Sequence, residues 1–198
     1  MNPSSRGPER LEGVTAIILA AGVGSRMQSQ VPKVLHQLLG RPMAGWVVAA
    51  ASEAFAAKSV VVLSPATVGL AELLGGSASV AEQPKPLGTA DAVRCALAAL
   101  PASAKELLIA CGDTPLITAA LMREVVSARR ETNAPIALAA LDADDPTGYG
   151  RVIESNDGSA ECVIEERDAS EEQRAIGTVN AGLYAVDRAW LTEALGAI

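Results

Sequence analysis

Apolar residues along this chain fall into two kinds of run, and the two kinds alternate. Continuous apolar stretches at 14–20 (VTAIILA) and 59–64 (SVVVLS) have the length and composition of strands buried on both faces. The segment at 41–57 is Ala-rich with a proline near its first helical position, which predicts a helix. The segment at 88–100 is apolar-rich with the length of a helix, and 118–131 is clearly amphipathic. Strands that alternate with helices form parallel sheets with right-handed crossovers, so the pattern predicts a Rossmann-like α/β fold. The sheet is expected to be mixed but mostly parallel, with helices on both faces.

Beyond residue 141 the chain changes to short strands with only a short helix or turn between them. The predicted strands are at 150–155, 160–166 and 178–186. A last helix is expected to begin near Asp187. No repeat or linker interrupts the pattern, so 13–198 is expected to form one domain, and the polar residues 1–12 a disordered tail.

Composition and charge exclude several classes of partner. The chain has 198 residues, 49% of them apolar and 20% charged, with a net charge of −7 and no Lys/Arg-rich run. Nucleic acids and anionic membranes both require a positive surface, so neither is expected as a partner. No apolar run reaches the roughly 18–20 residues of a membrane span. The three cysteines lack CxxC spacing, which is typical of buried thiols in a reducing compartment, and we expect a cytoplasmic protein.

The first apolar strand runs into a glycine-rich loop, LAAGVGSRM. The spacing fits neither GxGxxG, because Met27 stands where the third glycine belongs, nor GxxxxGK[ST]. Gly22 and Gly24 still allow successive backbone N–H groups to turn toward one point, which makes a nest for phosphate oxygens. Arg26 and Lys33 add cations suited to phosphate. By itself this loop is equally consistent with a tight strand–helix turn.

A carboxylate follows a second predicted strand. Asp113 ends the segment ELLIACGD, at the edge of an open α/β sheet where ligands collect. Mg²⁺ needs few protein carboxylates, because phosphates and waters supply its other ligands. Asp113 is therefore a candidate Mg²⁺ ligand, although an Asx turn or a helix cap would place an aspartate there as well.

Several motifs in register resemble those of the sugar-1-phosphate nucleotidylyltransferases. They are LAAGVGSRM with PKVLH, LGTADA, CGDTPLI, DDPTGYGRVI, VIEERDASEEQRAI and VNAGLY. Within that family the chain is most similar to the uridylyltransferase domain of the bacterial enzymes that make UDP-N-acetylglucosamine. The similarity runs from about Thr15 to the end of the chain.

The resemblance implies Mg²⁺-dependent transfer of a uridylyl group from UTP to N-acetylglucosamine 1-phosphate, with release of pyrophosphate. Arg26 would hold the departing phosphates, Lys33 would bridge the α-phosphate and the incoming phosphate, and Asp113 would hold the metal. The nucleotide-binding residues it implies are Leu19, Ala20, Ala21, Gly22, Gly24, Lys33, Gln83, Gly88 and Thr89. The sugar-phosphate-binding residues it implies are Gly150, Glu165 and Asn180.

The chain departs from the family in two places. Pro86 stands where the family usually carries a base-reading glutamine, and Gln83 lies three positions earlier. The sequence also ends at Ile198, before a later family segment with a second metal ligand and before the β-helix acetyltransferase domain. Two alternatives therefore stay open: a nucleotidylyltransferase for another nucleotide and sugar phosphate, or a nucleotide-binding domain with little turnover. A monomer is expected.

Overall fold

The computed structural model of the chain describes residues 9–24, 27 and 29–197. These residues form two compact units. The larger unit takes the chain up to Ala137 and resumes at Tyr184, and the smaller unit is Leu138–Leu183. The region expected from the sequence to be one domain therefore has two compact parts.

The larger unit contains a parallel sheet with helices. Its strands are β1 (Val14–Leu19), β2 (Gln37–Leu38), β3 (Arg41–Pro42), β4 (Val60–Leu63), β5 (Ser79–Glu82) and β6 (Glu106–Cys111). Its helices before the smaller unit are α1 (Met43–Ala54), α2 (Leu70–Leu73), α3 (Thr89–Ala96) and α4 (Ala119–Thr132). Four of the strands lie in the parallel order β5-β4-β1-β6. This parallel arrangement confirms the predicted α/β class.

The core of the larger unit lies on both faces of this sheet. Ile17, Val62 and Leu107 pack with α3 in one apolar cluster, and each is fully buried. Side chains alternate between the two faces of a strand, so the equally buried Ile18 and Leu108 point to the other face, where α1 and α4 contact each other. Burial on both faces is the reason that β1, β4 and β6 read as continuous apolar runs.

One predicted helix starts later than its sequence suggests. The helix was expected from residue 41, with a proline in its first turn, but α1 begins at Met43. Arg41 and Pro42 instead pair with Leu38 and Gln37 as a two-stranded hairpin. Pro42 is the extended N-cap residue of the helix. The helix therefore begins two residues later than expected, because the pairing of Arg41 and Pro42 with another strand cannot be inferred from hydrophobic periodicity.

The smaller unit is largely antiparallel. Its elements are β7 (Ile136–Asp142) from Leu138 onward, β8 (Arg151–Glu154), β9 (Ala160–Ile164), α5 (Glu171–Arg174) and the first part of β10 (Thr178–Asp187). β8 and β9 form an antiparallel hairpin with Arg151 opposite Ile164, and Val179 of β10 pairs with Arg151 on its other side. The chain then ends in α6 (Arg188–Gly196) of the larger unit, capped by Asp187. The short strands expected after residue 141 are thus confirmed.

Two further expectations need correction. Leu11 was expected in a disordered tail, but its N–H donates to the carbonyl of Ala54 at 2.9 Å and its own carbonyl accepts from Ala56 at 3.0 Å. These backbone bonds attach it to the end of α1. The cysteines were expected to be buried, whereas Cys162 is exposed on β9. Within the described ranges, no helix combines the length and the apolar character that crossing a membrane requires.

Candidate active site

The loop after β1 has one position that only glycine fits. Gly24 has φ of +69°, and a Cβ on it would lie 2.6 Å from Cβ of Lys33. At Gly22, by contrast, a Cβ would meet nothing within 4 Å and φ is not left-handed. The absence of a side chain at Gly24 therefore allows the loop backbone to pack directly against the side chain of Lys33. Arg26, which the family resemblance assigns to the departing phosphates, lies outside the described residues.

The residues just before this loop continue the strand. The N–H of Ala20 donates to the carbonyl of Val62 at 2.9 Å, and the side chain of Ala20 is fully buried. Ala21 is also buried, yet it lies on the wall of a cavity together with Leu19. Leu19 and Ala21 therefore line the cavity as predicted nucleotide-binding residues, whereas Ala20 does not.

Lys33 returns to the loop through a short 3-10 turn, Lys33–Leu35. Its N–H donates to the carbonyl of Val23 at 3.4 Å, while Val34 anchors the turn in the core at 3% exposure. The ammonium Nζ of Lys33 then lies 2.8 Å from Oδ2 of Asp113. Two residues selected independently from the sequence thus form an ion pair.

The sheet register explains how Asp113 reaches this point. Leu19 and Cys111 are partners at the ends of the parallel strands β1 and β6. The N–H of Gly112 donates to the carbonyl of Leu19 at 2.8 Å, and a Cβ on Gly112 would stand 3.0 Å from that same oxygen. The close backbone contact holds the chain so that Asp113 follows β6 beside the glycine loop.

Cys111 lies on the cavity wall next to this pair. Burial, aided by the negative charge of Asp113 and opposed by Lys33, raises the pKa of the Cys111 thiol to about 11. A thiol with such a pKa is protonated at neutral pH and is a poor nucleophile. Cys111 therefore contributes packing rather than covalent chemistry.

The opposite wall comes from the segment between β5 and α3. Gln83 follows β5 and is 3% exposed. Its Nε2 donates to the carbonyl of Gly88 at 3.1 Å and to Oδ2 of Asp91 at 2.9 Å. Gly88 has φ of +102°, which favours glycine, and Thr89 begins α3 directly after it. The side chain of Gln83 thus fixes the turn that leads into the helix.

These walls enclose a cavity of about 320 Å³. The sequence-predicted residues that line it are Leu19, Ala21, Gly22, Gly24, Lys33, Gln83, Gly88, Thr89 and Asp113. The lining residues that the sequence analysis did not select are Val34, Ala92 and Cys111, and Pro86 lines it too. Val34, Ala92 and Cys111 belong to the motifs PKVLH, LGTADA and CGDTPLI, but a motif does not say which of its members face a cavity, so only the fold could reveal them.

The three predicted sugar-phosphate residues meet in the smaller unit. The N–H of Asn180 donates to the carbonyl of Gly150 at 2.9 Å. A Cβ on Gly150 would lie 2.9 Å from Cγ1 of Val163, so a larger residue would displace Val163, and it would lie 3.7 Å from Oε1 of Glu165, in ordinary contact. The side-chain oxygen Oδ1 of Asn180 accepts from the N–H of Gly182 at 3.0 Å, which orients the amide.

A buried arginine supports this group of residues. Arg151 is 1% exposed, and its Nη2 donates to Oε2 of Glu166 at 2.7 Å. It also donates to the backbone carbonyls of Tyr149 and Arg174. The hydrogen bond from Arg151 lowers the pKa of Glu166. Arg151 was not predicted as a site residue, although it directly follows Gly150 in the motif DDPTGYGRVI.

Comparison with known proteins identifies the family. The model of the MobA-like NTP transferase domain matches residues 16–191, which is most of the chain. The chain belongs to the MobA-like NTP transferase family. Its α/β fold and the family resemblance inferred from its motifs are thereby confirmed, and it is a nucleotidyltransferase-domain protein.

Individual relatives carry the name "Bifunctional protein GlmU". Those from Caldanaerobacter subterraneus and Trichlorobacter lovleyi are 41% and 40% identical over 185 and 183 residues, and that from Clavibacter sepedonicus is 40% identical over 196 residues. The matches cover 93%, 91% and 97% of this chain but 40% of each relative. The chain therefore spans about two fifths of the length of these curated relatives.

Proposed function

We propose that this chain transfers a uridylyl group from UTP to N-acetylglucosamine 1-phosphate, giving UDP-N-acetylglucosamine and pyrophosphate. The observation that carries the proposal is the 2.8 Å contact between Nζ of Lys33 and Oδ2 of Asp113, beside the loop where Gly24 allows close backbone approach. A cation for phosphate oxygens and a carboxylate for a metal occur in one cavity. Membership of the NTP transferase family and similarity to GlmU proteins support the same reaction class.

The proposed uridylyl transfer requires that the two substrates be positioned and that their negative charges be neutralised. A sugar phosphate is already a nucleophile at neutral pH, so its attack on the α-phosphorus of UTP needs no general base. Lys33 would hold the attacking and the attacked phosphate together, because its ammonium reduces the repulsion between two anions. Arg26, outside the described residues, is proposed to hold the departing pyrophosphate.

Asp113 fits the role of a magnesium ligand. Its carboxylate lines the cavity and is about one third exposed, so its oxygens are accessible. The described residues contain no group of three or more His, Cys, Asp or Glu that could hold a metal. A site with one protein carboxylate suits Mg²⁺, which takes most of its ligands from phosphates and water. When bound there, Mg²⁺ supplies positive charge that stabilises the developing charge on the phosphates.

The remaining walls are proposed to bind the two substrates separately. Gln83, Gly88 and Thr89 would contact the nucleoside of UTP. In the smaller unit, Asn180 and Glu165 would hydrogen-bond sugar hydroxyls, and Gly150 would allow the sugar to approach the backbone.

A pyrophosphate-release assay tests the proposal. UTP, dTTP, CTP and GTP are each paired with several sugar 1-phosphates, in Mg²⁺ and in EDTA. We expect release with UTP and N-acetylglucosamine 1-phosphate only when Mg²⁺ is present. Nucleotide binding without release in every pairing would refute the transferase function.

A second candidate is nucleotidyl transfer with a different base or sugar. Pro86 lines the cavity and has no side-chain hydrogen-bonding group, so its side chain cannot read a base edge. The same assay decides, because faster release with another nucleotide would replace UTP in the proposal. In either case we place the protein in the cytoplasm. For the uridylyl reaction, its product would be an activated amino sugar for cell-wall synthesis.

A further inference from the structure

Two acceptors determine which way round the amide of Gln83 lies. The amide nitrogen Nε2 is 3.1 Å from the carbonyl oxygen of Gly88 and 2.9 Å from Oδ2 of Asp91. A carbonyl and a carboxylate can only accept, so the end of the amide that faces them is the NH₂. The oxygen Oε1 accepts no hydrogen bond from the residues that the structure describes. Gln83 therefore keeps an acceptor, not a donor, for a ligand in the cavity that it lines.

We propose that Asp91 is a positioning residue that selects the nucleobase through Gln83. Uracil carries a hydrogen on its ring nitrogen N3, which an amide oxygen can accept. Cytosine has a lone pair at N3, so the same oxygen would face a second acceptor without a hydrogen between them. The inference rests on the proposed function, because it assumes that a pyrimidine nucleotide occupies this cavity.

Asp91 has the position and the support that the role requires. It lies in the first turn of α3, where the helix dipole favours a carboxylate. Its other oxygen, Oδ1, is 3.6 Å from Nη1 of Arg94, and Nη2 of Arg94 donates to the carbonyl of Leu195 at 2.9 Å. Asp91 itself is not part of the cavity wall, so it acts through Gln83.

The carbonyl of Gly88 alone holds the amide less firmly. That oxygen also accepts the N–H of Ala92, the first hydrogen bond of α3, at 3.1 Å. Without the carboxylate of Asp91, Nε2 of Gln83 would have only the carbonyl of Gly88, which it shares with Ala92. A 180° rotation of the amide would then break only that one hydrogen bond. The NH₂ would then face the cavity in part of the population and could donate a hydrogen bond to N3 of cytosine.

Direct binding measurements test this role. Dissociation constants of UTP and CTP are measured by calorimetry, with Mg²⁺, for the full chain and for Asp91→Ala and Asp91→Ser. We expect the full chain to prefer UTP by about tenfold or more, the effect of one lost hydrogen bond plus an unpaired acceptor. In both variants the preference should fall below about threefold, mainly because CTP binds relatively better.

Two matched variants separate positioning from general support of the helix. Asp91→Asn keeps an oxygen acceptor for Nε2 of Gln83 and should retain the preference. Arg94→Met removes the ion pair and the link to Leu195 but not the hydrogen bond to Gln83, so it should retain the preference too. Circular dichroism confirms that each variant is folded.

Each outcome has a definite meaning. Equal weakening of UTP and CTP in Asp91→Ala and Asp91→Ser would overturn the role of Asp91 and leave the nucleotide proposal standing. Equal binding of UTP and CTP by the full chain would also overturn the role of Asp91. This outcome needs no variant, so it decides the question even if both variants fail to fold. Binding of no nucleotide triphosphate would instead overturn the proposed function.

Discussion

The ion pair between Lys33 and Asp113 contributes chemistry rather than stability. The two side chains are 37% and 33% exposed, and pairs of that exposure stabilise a fold by about 0–1 kcal/mol. Their contact is open to the cavity, so a phosphate or a metal can replace it without unfolding anything. Substitutions at these two positions should therefore change turnover far more than the free energy of unfolding.

Lys33→Ala should lower the rate of pyrophosphate release by more than about 100-fold, because it removes a charge-assisted contact to the transferring phosphate. The measurement is kcat with saturating UTP and sugar phosphate. Lys58→Ala, which removes an exposed lysine away from the cavity, is the control and should retain full activity. A loss below tenfold for Lys33→Ala would make Lys33 an ordinary loop residue.

Asp113→Asn should abolish Mg²⁺-dependent turnover while UTP binding largely survives, since the amide keeps the shape but not the charge that a metal needs. Mn²⁺ titration followed by electron paramagnetic resonance, with the nucleotide present, should show weaker metal binding by the variant. Unchanged Mn²⁺ affinity would remove Asp113 from the metal site, whatever the activity.

Gly24 and Gly22 should respond differently to alanine. Gly24→Ala forces a left-handed conformation on alanine and a clash with Lys33, so it should destabilise the fold by about 1–2 kcal/mol. Gly22→Ala meets open space and should change the free energy of unfolding by less than about 0.5 kcal/mol. Urea denaturation compares the two, and equal effects would contradict the loop geometry.

At the scale of elements, β6 has a different role at each end. Its last residue, Cys111, borders the cavity, whereas its first, Glu106, is joined to the end of α4. Oε1 of Glu106 accepts from Nε of Arg129 at 3.0 Å, and Oε2 accepts from Nε of Arg130 at 2.7 Å. These contacts fix the helix to the strand at the edge of the sheet opposite the cavity.

Glu106→Gln should destabilise the protein by about 3 kcal/mol at neutral pH, because it leaves the largely buried Arg129 without its carboxylate. Burial alone would raise the pKa of Glu106, but hydrogen bonds from Arg130 and Arg129 outweigh it and lower the pKa below its usual 4.5. A lowered pKa in the folded state stabilises the protein above the unfolded-state value, and the contribution disappears as the pH falls through the folded-state value.

Urea denaturation of Glu106→Gln and the unchanged chain across pH 7 to about 3 therefore checks the sign. The difference between them should stay constant from pH 7 to about pH 5 and narrow on further acidification. If the difference in free energy of unfolding between the two proteins became larger as the pH fell, the lowered pKa of Glu106 would be contradicted. Asp142→Asn, at an exposed carboxylate of β7, is a control for general acid effects.

At the scale of the whole molecule, the two predicted binding sets lie in different units. The nucleotide residues belong to the larger unit and the sugar-phosphate residues to Leu138–Leu183. We expect UTP with Mg²⁺ to slow hydrogen exchange in the peptides that contain Gly24 and Gln83. N-acetylglucosamine 1-phosphate alone should slow exchange in those that contain Gly150 and Asn180. Mass spectrometry measures both, and protection of the reverse peptides would refute the assignment.

Sequence alone determined the order of the elements, the fold class and the family. Periodicity and continuous apolar runs report how each local segment is buried, so β1, β4 and α4 were predicted nearly at their observed bounds. Motifs carried the family resemblance because their glycines and charged residues keep fixed spacings. The helix start at Met43 was missed, because Arg41 and Pro42, just before it, pair with Leu38 and Gln37 in a hairpin.

Only the tertiary structure decided which side chains meet. The contact of Lys33 with Asp113 follows from the register that sets Leu19 beside Cys111, and no local pattern encodes the pairing of distant strands. The support of Gln83 by Asp91 was missed for a similar reason, because it depends on the angle at which α3 leaves its turn. Periodicity records which face of a segment is buried, whereas a site depends on the register and direction of segments packed against each other.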